Sequence, residues 1–427
     1  MSARAAVIIP TKNRRDLLDA TLSSLAHQDV EDFETVVADH GSTDTTEATV
    51  SSWASALNLT YVRLEALARS PGWVRDEGVR HSSAAILIFL DNGMIAPSTF
   101  VRAHRAYHEG GNDRRPNFGI GMCHGYRLFG RQPACSPELF STHSAAALKE
   151  IIEADEELRD ERFGIRDLEP LRVPWLYGWS GNFSVRKQLY DEAGGYDRER
   201  YHLYEDLDLA YRLHACGARF GVVDEGWAVH LPHPVDPMAK RMLSIALGWR
   251  RSYWRHRSLA LEAAWLTKPS PKNWHRSVAE YGVRCDAMIR SLESMVAGTP
   301  VINITQAGLG LAGPTLLVGG DGRYAGKFDF VACGRQDLVS RDGVWGCAGV
   351  LIPMDDASLE TVVVTEFWRR LGAAAGQLRL LDHLINEVKR VADKAVFVDR
   401  GDDRPGDLTR HDVIMACRRR GLPCRII

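Results

Sequence analysis

The 427 residues carry 45% hydrophobic and 25% charged side chains, the balance of an ordinary globular chain with length for two or three domains. With 53 basic against 55 acidic residues the net charge is -2, which excludes a general attraction to nucleic acid. No apolar run reaches the roughly 18 to 20 residues of a membrane span, and the eight scattered cysteines lack the close spacing of a zinc or redox site.

The N-terminal MSARAAVIIPTKNRR holds too short an apolar run for a secretory leader. Reduced thiols in a cytoplasmic protein, soluble or peripheral at a membrane, are the expectation. Ala5 to Ile9 is a continuous apolar run before Pro10, as in a buried parallel strand. Leu17, Leu18, Thr21, Leu22 and Leu25 then recur at helical spacing. FETVVA, residues 33–38, reads as a second strand that runs into Asp39-His40-Gly41-Ser42-Thr43-Asp44, whose last residues suit a helix cap. Tyr61 to Leu64 is a third strand, and AAILIFL, residues 84–90, a fourth that ends on Asp91-Asn92-Gly93. Strands alternating with helices, with polar residues at the strand carboxyl ends, predict an open α/β sheet with its ligand at those ends.

From 148 to 170 the charged LKEIIEADEELRDERFGIRDLEP predicts a solvated helix face, with a lid or acceptor surface as the second reading. Trp179 to Phe220 combines a small-residue turn, a Gly-Gly bend and three acids at a helix start, Glu205, Asp206 and Asp208. Acids there cap a helix and complement its dipole, yet three within four residues exceed what a cap needs. LGWRRSYWRHR, residues 247–257, interleaves arginines with aromatics. It reads either as a surface for a membrane or an anionic acceptor, or as a helix packing its aromatics on the protein. Beyond Val301 come short strand candidates, VINIT, TLLVG, FDFVAC, GVLIPM and ETVVV, which predict an antiparallel or mixed sheet. Two helices near 367–371 and 378–392 and a closing KAVFVD–helix–PCRII unit follow. Gly308-Leu309-Gly310-Leu311-Ala312-Gly313 has dinucleotide-fingerprint spacing, but Pro314 spoils the helix that should follow, so a turn is expected.

VIIPTKNR, VVADHGSTD, VRDEG, FLDNG, WSGNFSV, AGGYD and YEDLDLAYRL occur in an order that resembles family 2 glycosyltransferases, over about residues 5–235. The later motifs are most similar to the branch with polypeptide N-acetylgalactosaminyltransferases and bacterial polysaccharide polymerases. The resemblance implies a GT-A fold, a Rossmann-like mixed sheet, and transfer from a nucleotide sugar. Pro10, Thr11 and Asp39 would line the nucleotide pocket, with Asp39 accepting from the base and Arg75 nearby. Asp91 would be the first acid of the DxD motif, and Trp179, Gly181 and Asn182 would lie under donor sugar and acceptor. Asp206 would be the general base, with Glu205 in reserve. His40 replaces the second acid usual after Asp39, and Gly93 stands where the second DxD acid belongs. A Mn²⁺ or Mg²⁺ site from Asp91 with His230 or His233 of WAVHLPHP, completed by diphosphate oxygens and water, is then the expectation.

The resulting expectation is a catalytic domain over 1–245, a helical basic-aromatic connector over 246–300, and a separate C-terminal α/β domain of unassigned role over 301–427. The function is inverting transfer of a hexose or N-acetylhexosamine, by family frequency from a UDP-sugar, to an acceptor hydroxyl of a saccharide, peptide or small molecule. A non-catalytic sugar-nucleotide-binding or scaffold protein is the rival reading, motivated by Gly93.

Overall fold

The computed structural model describes residues 4–65, 70–110, 117–129, 132–133, 144–165, 167–198, 203–299, 303–334, 343–372, 380–401 and 407–427. The chain forms two compact units, residues 1–248 with 269–282, and residues 249–268 with 283–427. Residues 246–300 are largely helical and divide between the two units instead of forming a third body.

The first unit is built on a seven-stranded mixed sheet. Its strands are β1 (Ala5–Thr11), β2 (Phe33–Asp39), β3 (Leu59–Arg63), β4 (Ile86–Leu90), β6 (Asn117–Ile120), β8 (Asn182–Arg186) and β9 (Arg219–Val222), in the order β3-β2-β1-β4-β8-β6-β9. The first four run parallel, β8 runs antiparallel to both β4 and β6, and β9 is parallel to β6. A small second sheet joins β5 (Met94–Ile95), β7 (Cys123–His124) and β10 (Ala228–His230), which places His230 opposite Met94, three residues past Asp91. This is the mixed α/β sheet that the motif order implied.

The central strands are apolar because both faces are covered. Leu18, Leu22 and Leu25 of the helix Arg15–Ala26 pack on Val7, Ile9 and Val37. Across the antiparallel half, Phe89 stacks on Phe183 at 4.5 Å, Phe183 on Phe118 at 4.9 Å, and Phe118 on Phe220 at 4.6 Å. One aromatic ladder thus spans β4, β8, β6 and β9, and pins their register through cross-strand side-chain pairs. The VRDEG and AGGYD motifs meet through Asp76, which accepts the Tyr196 N–H at 3.0 Å and the Tyr190 hydroxyl. Gly195 has φ +64°, and a side chain there would strike the Asp76 carboxylate at 2.7 Å, so the bend needs glycine.

The second unit carries six strands, all parallel: β11 (Thr315–Val318), β12 (Phe330–Ala332), β13 (Val344–Trp345), β14 (Leu359–Val364), β15 (Ala392–Phe397) and β16 (Cys424–Ile426). Their spatial order β13-β12-β11-β14-β15-β16 is the doubly wound order 3-2-1-4-5-6. The antiparallel or mixed sheet expected for its first part is therefore corrected. Short 3₁₀ turns such as Gly322–Tyr324 lie where a full helix would have signalled a parallel crossover. Residues 308–313 lie before β11, in the turn expected for them, with Gly310 left-handed at φ +66°. No strand forms over 350–352, and 301–302 of the VINIT candidate lie outside the described residues.

The aromatics of 247–257 take the packing reading. Trp249 stacks on Trp265 at 4.3 Å and Tyr253 is 1% exposed, with its hydroxyl donated to Leu351 O at 2.6 Å. No described helix is long and apolar enough to cross a membrane. All described cysteines are free.

Candidate active site

The carboxyl ends of β1, β2 and β4 bring the first motifs together, since Thr11 pairs in register with Asp39. Asp39 is fully buried: Oδ1 accepts the Ser42 N–H at 2.9 Å and the Ser42 hydroxyl at 2.6 Å, while Oδ2 accepts the Tyr61 hydroxyl at 2.6 Å. The expected hydrogen bond from a base to Asp39 finds no exposed carboxylate oxygen here; the residue shapes the 39–44 turn. Pro10 is half-buried, and Thr11 Oγ1 accepts the Asn92 side-chain amide at 2.6 Å.

Arg75, on the helix Pro71–Arg80, is buried at 3% exposure. Its Nη2 lies 2.5 Å from Asp91 Oδ1 and its Nη1 4.0 Å from Glu205 Oε1. The guanidinium also sits over the Tyr196 ring at 5.7 Å. Asp91, Arg75 and the Glu205–Asp206 pair therefore form one cluster. Gly93, in place of the second DxD acid, has φ +91° and donates its N–H to Thr21 Oγ1 at 3.0 Å. An aspartate would be strained in that left-handed turn, which accounts for the departure.

Glu205 and Asp206 open the helix Glu205–Ala215, directly after Tyr204, whose φ is +117°. A bulky residue in that region is strained backbone next to the two acids. Asp206 Oδ2 accepts the Ser180 N–H at 3.1 Å and Oδ1 the Leu207 N–H at 2.8 Å. Burial, reinforced by Asp206, raises the Glu205 carboxyl well above the usual range. Burial also raises Asp206, but the Ser180 and Leu207 N–H groups and Arg75 pull it back. Burial thus raises both carboxyls, while the two main-chain N–H groups favour the ionised form at Asp206. Asp208 turns away to Arg212 at 2.8 Å.

The WSGN turn lies against the DxD turn, since the Asp91 N–H donates to Gly181 O at 3.1 Å. Gly181 leaves no room for a side chain, which would meet Cys123 Sγ at 2.9 Å. Asn182 is fully buried and donates its amide to Gly226 O at 2.7 Å and Met122 O at 3.2 Å. Its amide nitrogen is thus spent on the floor of the site, while its Oδ1 has no hydrogen-bond partner.

His230 is 5% exposed, and its Nδ1 has no hydrogen-bond partner. Burial lowers it to about 3, so the imidazole is neutral. His233, 4.7 Å away between ring centroids, has both nitrogens engaged, Nε2 with Arg14 Nη1 at 2.7 Å and Nδ1 with Leu231 O at 3.3 Å. Among the described residues no three His, Cys, Asp or Glu side chains are placed to hold a metal ion. An ion completed by phosphate and water would need only one or two protein ligands, and His230 and Asp91 are the groups that would serve. His233, spent on Arg14, does not fit.

The helix of the acidic stretch ends at Ala154, and beyond it Asp160, Glu161 and Arg162 are buried. Solvation of this second half is thus corrected. Asp160 and Arg162 pair at 2.8 Å with both side chains 1% exposed. Arg162 donates to Tyr177 O and Gly121 O at 2.8 and 2.9 Å and lies 4.7 Å over the Trp179 ring. Trp179 is half-buried, tied by its indole N–H to Leu176 O at 3.0 Å. Nothing local in the sequence signals this support. Aspartate and arginine two apart in a charged run give no signal of burial, although three carbonyl and amide partners lie elsewhere in the chain.

Residues 6–112 match the sequence profile of Glycosyl transferase family 2. The chain is 35% identical over 266 residues to "Validoxylamine A glucosyltransferase" of Streptomyces hygroscopicus subsp. jinggangensis, a match over 61% of this chain and 62% of that protein. It is 28% identical over 237 residues to "Chondroitin synthase" of Pasteurella multocida, covering 53% of this chain and 25% of that one. The chain thus spans about three fifths of the first relative and a quarter of the second. Among solved structures, S. aureus TarS 1-349 in complex with UDP-GlcNAc aligns over 70% of this chain and 82% of that chain, at 18% identity and TM-score 0.46. Residues 6–112 of the first unit, which carry the strand-end acids Asp39 and Asp91, are thus similar in sequence to family 2 glycosyltransferases.

Proposed function

We propose that the protein is an inverting glycosyltransferase that moves a hexose or N-acetylhexosamine from a nucleotide sugar, UDP-linked by the family's habit, to an acceptor hydroxyl. The carrying observation is the convergence of Arg75, Asp91, Glu205 and Asp206 at the carboxyl edge of the sheet. Asp206 takes the acceptor's proton as its oxygen attacks the anomeric carbon, opposite the departing diphosphate. Two main-chain N–H groups hold that carboxylate in place, and Glu205, kept neutral, spares it a second negative neighbour. Arg75 fixes Asp91 and limits the mutual repulsion of the acids. Negative charge building on the diphosphate is met by fixed cations, Arg14 and Arg241, both in electrostatic reach of His230 and His233. A Mn²⁺ or Mg²⁺ ion, when bound, supplies further stabilisation of that leaving group, with Asp91 and His230 as its protein ligands.

The test is donor hydrolysis and transfer by the purified protein with Mn²⁺ and a panel of sugar nucleotides, with binding followed by calorimetry. Turnover of one donor, with nucleotide affinity strengthened by Mn²⁺, is expected. Absence of binding to every nucleotide overturns the reading. Tight binding without turnover would instead favour a sugar-nucleotide-binding protein, the reading that Gly93 and the lack of a three-residue metal cluster among the described residues support.

A further inference from the structure

We propose that Trp274, with Trp179 and Phe129, forms the acceptor subsite of the first unit, and that this subsite takes a six-membered polyhydroxylated ring through its C–H face. The inference rests on the glycosyltransferase reading and names the acceptor class for it. Trp274 is delivered by residues 269–282, the segment of the first unit that follows the excursion 249–268. Its ring meets Trp179 at 6.1 Å and 31°, and stands edge-on to Phe129 at 5.4 Å and to Tyr281 at 6.2 Å. Trp179, Phe129 and Trp274 each stay partly exposed, whereas the core aromatics of this unit are almost wholly buried. Half-exposed indoles side by side leave apolar area in water, which a ligand's apolar face relieves.

The location ties this wall to the chemistry. The residue after Trp179 is Ser180, whose N–H holds the Asp206 carboxylate. At the foot of the wall Glu161 is 6% exposed and accepts the Leu128 N–H at 3.1 Å. Tyr126 lies in the electrostatic field of Glu161, Asp206 and Asp91 together, which puts Glu161 on the same side of the unit as the base. The Trp274 indole N–H is buried and directed to Glu161, yet closes no hydrogen bond of ordinary geometry. A ring hydroxyl reaching between them, with the side-chain adjustment usual on binding, accepts from the indole and donates to the carboxylate. Cyclic polyols offer both features at once, a flat patch of axial C–H groups for the indoles and hydroxyls at its rim. An open-chain polyol offers hydroxyls without the flat face.

Saturation-transfer NMR on the full chain with UDP present, using methyl β-D-glucopyranoside, myo-inositol and sorbitol as probes, tests this. Ring protons of at least one cyclic probe are expected to receive saturation and sorbitol none. Trp274→Ala should cut the cyclic signal about fivefold or more, whereas Trp274→Phe, which keeps a flat ring, retains part of it. UDP affinity by calorimetry and the circular dichroism spectrum should not change in either variant. No saturation of either cyclic probe, an equal sorbitol signal, or an unchanged signal in Trp274→Ala overturns the proposal. Failure of the wild type to bind any nucleotide would strike the glycosyltransferase reading instead.

Discussion

The Asp206 carboxylate accepts the main-chain N–H of Ser180 at 3.1 Å, which ties the ED helix to the WSGN turn. Asn for Asp at 206 preserves shape but cannot take a proton. Asp206→Asn is expected to lower kcat for transfer by about 10² to 10⁴-fold, with nucleotide affinity within about twofold of wild type. Wild-type turnover in the variant would remove Asp206 from the mechanism and leave Glu205 as the base.

Arg75 is the cation shared by Asp91 and Glu205. Removing it takes away the charge that favours the ionised forms of the buried Glu205 and Asp206 carboxyls. Arg75→Met should therefore move the acid limb of the kcat/KM profile upward by about one pH unit or more. A limb that stays in place while activity falls would assign Arg75 to ligand contact alone.

Asp160 and Arg162 form a pair with both side chains 1% exposed, so losing one strands the other. Asp160→Ala should destabilise the first unit by about 3–5 kcal/mol, read from denaturant unfolding. A loss below about 1 kcal/mol would show that water reaches Arg162 readily.

Glu161 is held up at about 7 against an ordinary 4.5, chiefly by burial. The folded chain binds its proton more tightly than the unfolded chain, so the stabilisation is full below the unfolded value and fades as pH rises toward the folded one. Relative to Glu161→Gln, the wild type should lose up to about 3 kcal/mol between pH 4.5 and 7, measured by thermal unfolding of both proteins across that range. A constant difference would mean that Glu161 titrates normally.

The strand-end acids were legible in the sequence because an apolar run followed by Asp is a local signal, and Asp91 does meet the helix-start acids through Arg75. Their partners were less so. Asp39 was read by its position at a strand end, but Tyr61 and Ser42 take both its oxygens. The resemblance puts Asn182 under donor sugar and acceptor, and the fold adds that it opens a strand whose neighbours bury it. In both cases the side chain's direction depended on residues far away in the chain. The parallel sheet of the second unit escaped for a related reason: the link between its first two strands carries a 3₁₀ turn, Gly322–Tyr324, too compact to display helical periodicity.

Residues 269–282 complete the first unit only after 249–268 have been assigned to the second. During synthesis, then, the N-terminal body cannot close when its sheet is finished; the Tyr177 hydroxyl must wait for the Gly282 N–H and Ala279 O, at 2.8 and 3.1 Å. By then a stretch belonging to the later body has already left the ribosome without its partners. The order of translation therefore interleaves the two bodies, and a chain stopped near residue 245 would end before Trp274 and its aromatic wall.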